Sequence, residues 1–409
     1  MKIFRKTILF ALLLTIVQQF PYIKENYYYQ IRIFLYVILG ILTCIGILTA
    51  RLKLIRFIRV FFICIMLWSL LILIFYILGW EIKNPYNNRI EILEPIVPLG
   101  LLFLAYRFNF YDDEVNKFIN IYIILATIMG IANIFIYGIG LEIPKYYVEN
   151  ISKNQIGPIL SISSITCFYL LLNGLMKKNY LKFIILYMII FSIDIICLAL
   201  IRNRSGLLAT FIIILFLSIF YYRHNKISKC FITIALIIIF IILIVNSNIL
   251  KTLLSFFYNS FTANYDVSDI DNLSAGRIRI YQVSINFIRK NIWFGELKSY
   301  EYVPGIPHNY LLNKLVKYGL IGSSPLIFFY LYLFIFLLKE IFNKIKSSEI
   351  IDLSILLIMQ GIIISFFEYA YPYGPGVSQA LSWLLLGHYL SRNYREKEDN
   401  FNKRIYSIS

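Results

Sequence analysis

The chain has 409 residues, of which 60% are apolar and only 15% are charged, against about 25% charged in a typical soluble domain. Its mean hydropathy is +0.74, and its apolar residues are concentrated in runs of about 20 residues, the length of a membrane-spanning helix. This composition excludes a water-soluble globule. The net charge of +17 is therefore interpreted first as a topology signal, before any role in binding nucleic acid is considered.

Twelve apolar runs follow one another along the chain, and we predict that each forms a transmembrane helix. The first run follows a basic N-terminus but no small-residue cleavage site, so we expect a retained helix rather than a signal peptide. The predicted fold is an all-α, polytopic integral membrane helix bundle of about 12 spans. The runs are residues 7–20, 33–50, 60–79, 91–106, 118–140, 155–175, 183–201, 205–222, 230–249, 319–338, 350–369 and 378–390.

The distribution of Lys and Arg predicts the orientation of these spans. If the N-terminus is cytoplasmic, the cytoplasmic segments contain 23 of the 39 basic residues, and the positive-inside rule then places both termini in the cytoplasm. Eight of the other 16 lie in residues 250–318, and two are Arg202 and Arg204. Most of the positive charge thus predicts topology, and the external arginines require another explanation.

Three regions follow from this topology. The transmembrane bundle of spans 1 to 9 covers residues 1–249, the extracytoplasmic loop residues 250–318, and spans 10 to 12 with a cytoplasmic tail residues 319–409. The loop is too small to form a strong independent core, so we predict a cap lying on the membrane. Apolar residues at helical spacing predict an amphipathic helix in this cap. They are Tyr281, Ile285, Ile288 and Ile292.

A second helix is predicted from His308 to about Tyr318, with Gly319 as its C-cap. His308 would then feel the positive end of the helix dipole, which disfavours the imidazolium. A neutral imidazole at the mouth of the bundle could act as a general base. The alternative is that His308 only caps the helix.

Four external arginines are candidates for binding phosphate. Arg202 and Arg204 lie in a turn of about three residues between two spans, where an unpaired guanidinium is costly, and Arg presents donors that match phosphate oxygens. Arg277 and Arg279 open the amphipathic helix, after Gly276. The alternative is that these side chains only reach lipid head groups at the interface.

Acidic residues support a competing hypothesis. Asp194 lies inside the seventh span and Glu368 near the outer end of the eleventh, and intramembrane carboxylates are candidates for ion or proton coupling. Such residues favour an ion-coupled transporter or flippase. Each carboxylate could equally be paired with a neighbouring Arg for structural reasons.

We expect no metal, cofactor or nucleic acid. The five cysteines lie in or near apolar runs without CxxC spacing, so neither a disulfide framework nor a zinc site is indicated. Asp269 and Asp271 form a D-x-D pattern that binds a metal-nucleotide in some sugar transferases, but so short a pattern is common by chance. Nucleotide-binding motifs such as a P-loop are also missing from the sequence.

Three motifs occur in order on the predicted external face. His308-Asn309, nine residues and Gly319-Leu-Ile-Gly322 resemble the His-Asn-x9-Gly-x-x-Gly signature of the O-antigen ligase and polymerase superfamily. The segment from Arg204 to Leu208 is similar to its Arg-x3-Leu element. Ser274-Ala-Gly-Arg277, followed by Ile292-Trp-Phe-Gly295, resembles its serine-glycine-arginine element and the phenylalanine-glycine turn. The motifs cover roughly residues 200–325.

The resemblance implies a metal-independent, GT-C-like membrane glycosyltransferase that acts on glycans linked to undecaprenyl pyrophosphate. Arg204 and Arg277 would hold the donor pyrophosphate, and His308 would assist the acceptor hydroxyl. We expect Arg202, Arg279 and Asn309 to contact substrate or lipid.

Within the superfamily we favour a polymerase of O-antigen or capsule repeat units over a ligase that transfers polymer to lipid A core. The expected location is the bacterial plasma membrane. The expected partners are membrane lipids, a chain-length regulator and a flippase.

Overall fold

The computed structural model describes residues 2–49, 54–80, 93–141, 153–177, 181–223, 276–299, 301–347, 349–373 and 379–406. Over these residues the protein contains twelve α-helices and two short 3-10 turns, with no β-strand. This architecture confirms the predicted all-α fold class.

Eleven of the twelve predicted spans coincide with helices, and the ninth, residues 230–249, lies outside the described residues. Among the described residues, seven helices are long and apolar enough to cross a membrane, and two more are shorter and apolar. The chain is therefore a multi-pass membrane protein. The helices are α1 Lys2–Val17, α2 Pro21–Leu48, α3 Arg56–Ile77, α4 Leu93–Phe108, α5 Asp112–Tyr137, α6 Lys153–Lys177, α7 Leu181–Leu200, α8 Arg204–Arg223, α9 Arg277–Lys290, α10 Tyr310–Ser347, α11 Leu353–Ser365 and α12 Ala380–Tyr406.

Helix α2 begins well before the predicted start of its span at residue 33. Pro21 opens the helix, a position where its missing N–H costs nothing and its fixed φ suits the helix. At 1.5 Å per residue, the 28 residues of α2 extend about 42 Å, whereas the hydrocarbon core of a bilayer is about 30 Å thick. Because the predicted span begins at residue 33, we expect the first turns of α2 to extend past the hydrocarbon core on the predicted external side.

Helix α6 lies at the centre of the bundle. In its apolar stretch 83% of the residues are buried, against 17% in the peripheral helix α2. Helices α5, α7, α8 and α11 all pack against it. Because α6 starts on the predicted external face, its first turn lies in the middle of that face.

Helix α9 confirms the amphipathic helix predicted from the apolar spacing, although it ends at Lys290, before Ile292. Its inward face presents Phe287, which packs with Val303 and Val316. Ile285 and Ile292 are exposed, as expected for apolar side chains that face lipid.

The predicted break at Gly319 is present as a kink within α10, where this residue has φ of 61° and ψ of −170°. Beyond the kink, the N–H groups of Leu320 and Ile321 leave the helical hydrogen-bond pattern. They donate to the carbonyl oxygens of Ile292 at 2.7 Å and Trp293 at 3.1 Å. Through these two hydrogen bonds, the kink attaches α10 to the segment that comes directly after α9.

Two motif glycines lie at this contact because the two backbones approach closely. A Cβ on Gly319 would lie 2.4 Å from backbone atoms of Trp293, and a Cβ on Gly295 would lie 2.3 Å from the carbonyl oxygen of Val316. Both glycines also have positive φ, which other residues adopt only with strain. Any side chain at either position would push the cap away from α10.

Candidate active site

Glu368 lies just beyond the end of α11, and its carboxylate is buried, with a relative exposure of 4%. One oxygen accepts a hydrogen bond from Arg277 Nη2 at 3.3 Å. The other lies 3.3 Å from His308 Nδ1 and accepts from Asn154 Nδ2 at 2.9 Å. Glu368 therefore joins two of the predicted site residues, from α9 and from the start of α10, to the first turn of α6.

Arg277 is the first residue of α9, and Gly276 before it adopts the left-handed conformation with φ of 75°. A Cβ on Gly276 would meet no atom within 4 Å, so the glycine serves backbone conformation rather than close packing. Arg277 Nη1 also donates to the carbonyl of Phe367 at 3.0 Å. Arg279 is exposed, whereas Arg277 is partly buried.

His308 lies before α10, which begins at Tyr310 rather than at His308 as predicted. Asn309 caps the helix, because its side-chain oxygen accepts the N–H of Leu312 at 3.0 Å. Its amide nitrogen donates to the carbonyl of Phe366 at 3.4 Å. The capping role considered for His308 thus belongs to Asn309, and the imidazole is left for other contacts.

The hydrogen bond to Glu368 orients the His308 ring. When Nδ1 carries the proton and donates to Glu368, Nε2 keeps a lone pair and can accept a proton. The side chain is 31% exposed, so Nε2 is not sealed inside the protein. A carboxylate on one ring nitrogen and a partly exposed face are the arrangement that a general base needs.

Tyr281 supports His308 from the cap. Its hydroxyl donates to the main-chain carbonyl of His308 at 2.6 Å. Burial raises the pKa of the Tyr281 phenol, so the group remains a neutral donor at physiological pH. The sequence placed Tyr281 on the amphipathic helix, but no sequence signal linked it to His308.

Arg202 and Arg204 lie in the turn between α7 and α8. Arg202 has φ of 60°, and Arg204 is the first residue of α8. Asn203 between them caps α8, since its side-chain oxygen accepts the N–H of Gly206 at 2.7 Å. Its amide nitrogen donates to the carbonyl of Lys153 at 3.0 Å. Asn203 was not singled out from the sequence, although Asn before an apolar run is a known helix-start signal.

The first turn of α6 connects the arginine turn with the Glu368 cluster. The carbonyl of Lys153 binds Asn203, and the next residue, Asn154, binds Glu368 through its side chain. The carbonyl of Asn154 also accepts a hydrogen bond from Tyr371 at 3.2 Å. Arg204, Arg277 and His308 are therefore all positioned relative to one short piece of backbone, which the sequence did not indicate.

The second intramembrane carboxylate, Asp194, has a different environment. It is wholly buried in α7, and Thr127 of α5 donates to it at 2.6 Å. It contributes to contacts between two spans.

Within the described ranges, no group of three or more His, Cys, Asp and Glu side chains could hold a metal ion. Asp269, Asp271, Ser274 and Cys230 lie outside those ranges. What the described residues do bring together is a cation, a carboxylate and a partly exposed imidazole. These groups can bind an anion and accept a proton.

The fold and site define a polytopic α-helical membrane protein with a cluster of Arg, Glu and His where several helices begin or end. Residues 186–327, about a third of the chain, match the family described as O-antigen ligase. The match confirms the resemblance to the O-antigen ligase and polymerase superfamily. It contains Arg204, Arg277 and His308 but neither Asn154 nor Glu368.

The family supports an activity of the ligase or polymerase type, which is that of a membrane glycosyltransferase. No curated protein matches the chain.

Proposed function

We propose that the protein is a polymerase of O-antigen or capsule repeat units. It transfers a glycan from undecaprenyl pyrophosphate to a sugar hydroxyl of a lipid-linked acceptor, on the external face of the plasma membrane. The observation that carries the proposal is the joint contact of Arg277 and His308 with buried Glu368. Both residues lie in the segment that matches the family.

The cations would stabilise the leaving group. When the bond between the anomeric carbon and the pyrophosphate oxygen breaks, its electron pair leaves with undecaprenyl pyrophosphate, and negative charge develops there. Guanidinium groups of Arg204 and Arg277 provide fixed donors for that charge. The 3.3 Å contact between Arg277 and Glu368 is long for a charge-assisted hydrogen bond, so Arg277 can bind phosphate without large rearrangement.

His308 would serve the acceptor. The acceptor oxygen forms the new bond to the anomeric carbon, and its proton passes to Nε2 of His308. Glu368, 3.3 Å from Nδ1, offsets the positive charge that the imidazole then carries. The proton is released to water afterwards, and no nucleotide or metal takes part in these steps.

Three substitutions test this proposal in a deletion strain. Arg204→Ala, Arg277→Ala and His308→Ala should each abolish long-chain glycan while the protein remains in the membrane, because each removes a charge or a base from the reaction. Arg289→Ala is the matched control, since Arg289 is an exposed arginine in the last turn of α9. Normal chain lengths in all three variants would contradict the assignment. Activity should also survive EDTA, and its loss would redirect attention to Asp269 and Asp271.

A ligase would use the same donor chemistry and differ in its acceptor. The product that accumulates in a deletion strain separates the two activities. A single repeat unit attached to lipid A core indicates that a polymerase was lost, whereas polymer held on the undecaprenyl carrier indicates a lost ligase.

A transporter is favoured only by Asp194, because the contacts of Glu368 with Arg277 and His308 suit the transferase. Asp194→Asn should have a mild effect on a transferase, since the amide still accepts the hydrogen bond from Thr127. In a proton-coupled transporter the same change would remove the titrating group and stop transport.

A further inference from the structure

Lys24, the fourth residue of α2, has no role in the site described above. Its side chain is wholly buried. Its ammonium group donates to Gln19 Oε1 at 2.7 Å and to Gln155 Oε1 at 3.4 Å. No carboxylate among the described residues pairs with it, and the neighbouring Glu25 accepts instead from Tyr137. A buried ammonium with only neutral partners is costly, so an anion that binds there would be stabilised.

A second observation also indicates a ligand at this position. Gln19 is wholly buried, and its amide nitrogen has no hydrogen-bond partner among the described residues. Buried amide donors are nearly always satisfied. An anion beside Lys24 would accept from both the ammonium and this amide nitrogen.

The contacts of Gln155 are weak enough to be exchanged. Gln155 Oε1 lies 3.4 Å from Lys24, and Gln155 Nε2 lies 3.5 Å from the hydroxyl of Tyr28. Both distances are long for hydrogen bonds, and Gln155 is only partly buried. A phosphate oxygen is a stronger acceptor for an ammonium than an amide oxygen, so it can displace Gln155 from Lys24.

We expect Lys24 to lie at the level of lipid head groups. The first turns of α2 precede its predicted span, and Tyr22, Tyr27 and Tyr29 are exposed on them, as in the aromatic belts of membrane proteins. Helix α2 is peripheral. A phosphate group carried by a lipid could therefore approach Lys24 from the membrane, with its chain along α2.

Lys24 is close to the Glu368 cluster but separate from it. Gln155 contacts Lys24, and the preceding residue, Asn154, contacts Glu368 beside His308. In the proposed polymerase the donor pyrophosphate leaves the reacting carbon and so must lie at that cluster. The acceptor pyrophosphate is separated from the attacking hydroxyl by the length of the acceptor glycan.

We infer that Lys24, Gln19, Gln155 and Tyr28 bind the pyrophosphate of the lipid-linked acceptor. This inference rests on the proposed function and deepens it, because it assigns residues of this chain to the pyrophosphate of the acceptor.

The test compares two acceptors with the purified full-length protein in phosphatidylcholine vesicles. One is the repeat unit on undecaprenyl pyrophosphate, and the other is the same oligosaccharide on an uncharged alkyl chain. Lys24→Gln should raise KM for the pyrophosphate-linked acceptor on the order of tenfold, as expected for the loss of a hydrogen bond to a charged group. The KM values for the donor and for the uncharged acceptor should remain unchanged. Lys24→Arg should restore most of the affinity.

Two further variants distinguish a loss of acceptor binding from misfolding of the protein. Gln19→Glu places a carboxylate beside Lys24 that pairs with it, and it should raise the same KM without removing a buried side chain. Lys290→Gln, at an exposed position on α9, is the control and should change neither KM.

Equal losses with both acceptors would show that Lys24 is structural and would overturn the inference. An effect of Lys24→Gln that appears only when the vesicles contain phosphatidylglycerol would show that Lys24 binds phospholipid. That result would overturn the inference as well. If the wild-type protein transfers glycan to neither acceptor, the proposed polymerase function itself fails, which is a different result.

Discussion

Glu368 has two carboxylate oxygens and contacts with three side chains, on α6, α9 and the segment before α10. Removing the partners of a buried carboxylate leaves an uncompensated charge, which is far more costly than an exposed one. The carboxylate sets the distance between Arg277 and His308.

Glu368→Gln should lower kcat by about 10- to 100-fold, part of the 10²- to 10⁴-fold that a positioned general base contributes. The amide can still occupy the same space, but it no longer offsets the charge on protonated His308. Initial rates of glycan transfer by purified protein would measure the effect.

The matched control is Glu301→Gln, because Glu301 is exposed on the same cap. A kcat for Glu368→Gln equal to that of the control would show that the carboxylate only supports the fold.

The contacts of individual side chains were the feature that the sequence predicted least well. His308 and Arg277 could be selected because they belong to motifs with fixed spacing. Asn154 and Tyr281 could not, since each acts through a partner more than twenty residues away along the chain. Contacts of this kind arise from packing and leave no local pattern.

At the scale of elements, backbone hydrogen bonds attach the cap to the bundle in addition to the side-chain contacts of Arg277, Tyr281 and Phe287. The N–H groups freed at the kink in α10 are satisfied by carbonyls from the turn after α9. Each of the two glycines of the predicted signature has a structural role in this region. The first of them, Gly319, makes the kink, and Gly322 packs against Phe75 of α3.

Gly319→Ala should destabilise the protein, because φ of 61° with ψ of −170° is a conformation essentially limited to glycine and costs about 1–3 kcal/mol, and the alanine Cβ would clash with the Trp293 backbone. We expect the thermal unfolding midpoint in detergent to fall by several degrees, with loss of glycan transfer.

Gly40→Ala provides the control, since a Cβ on Gly40 in α2 would meet no atom within 4 Å. Unfolding midpoints that are equal for the two variants would contradict the proposed attachment of the cap.

Element boundaries were predicted well where they follow from apolar runs and less well where they follow from caps. The run that begins at residue 33 identified α2 but missed its first turns, because Lys24, Glu25 and Arg32 interrupt the apolar pattern. The start of α10 was placed two residues early, because the capping role of Asn309 depends on its side-chain geometry.

At the scale of the whole molecule, the charge distribution remains the only source of orientation. The starts of α2, α6, α8 and α10 and the end of α11 contact one another, so the candidate site lies on one face. The count of basic residues predicts that this face is external. The structure establishes the common face, and the orientation stays a prediction.

Cysteine labelling in intact cells tests this orientation. In a variant without native cysteines, Glu301→Cys should react with a membrane-impermeant maleimide, because Glu301 is exposed on the cap. Ser347→Cys, exposed at the far end of α10, should react only after the cells are permeabilised. The reverse pattern would place the site on the cytoplasmic face.

The central position of α6 affects how the protein responds to its bilayer. Transmembrane helices adjust to a thicker or thinner membrane by tilting. We expect peripheral helices such as α2 to tilt more than α6, because fewer of their residues pack against other helices. The turn that contains Arg202 and Arg204, the Glu368 carboxylate and the His308 imidazole are instead positioned by contacts with the first turn of α6. Most residues of that helix are buried, so it hardly touches lipid. Gly157 keeps Asn203 close to that turn, since a Cβ there would lie 2.2 Å from the Asn203 amide carbon. Arg277, Glu368 and His308 should thus keep their spacing across membranes of different thickness.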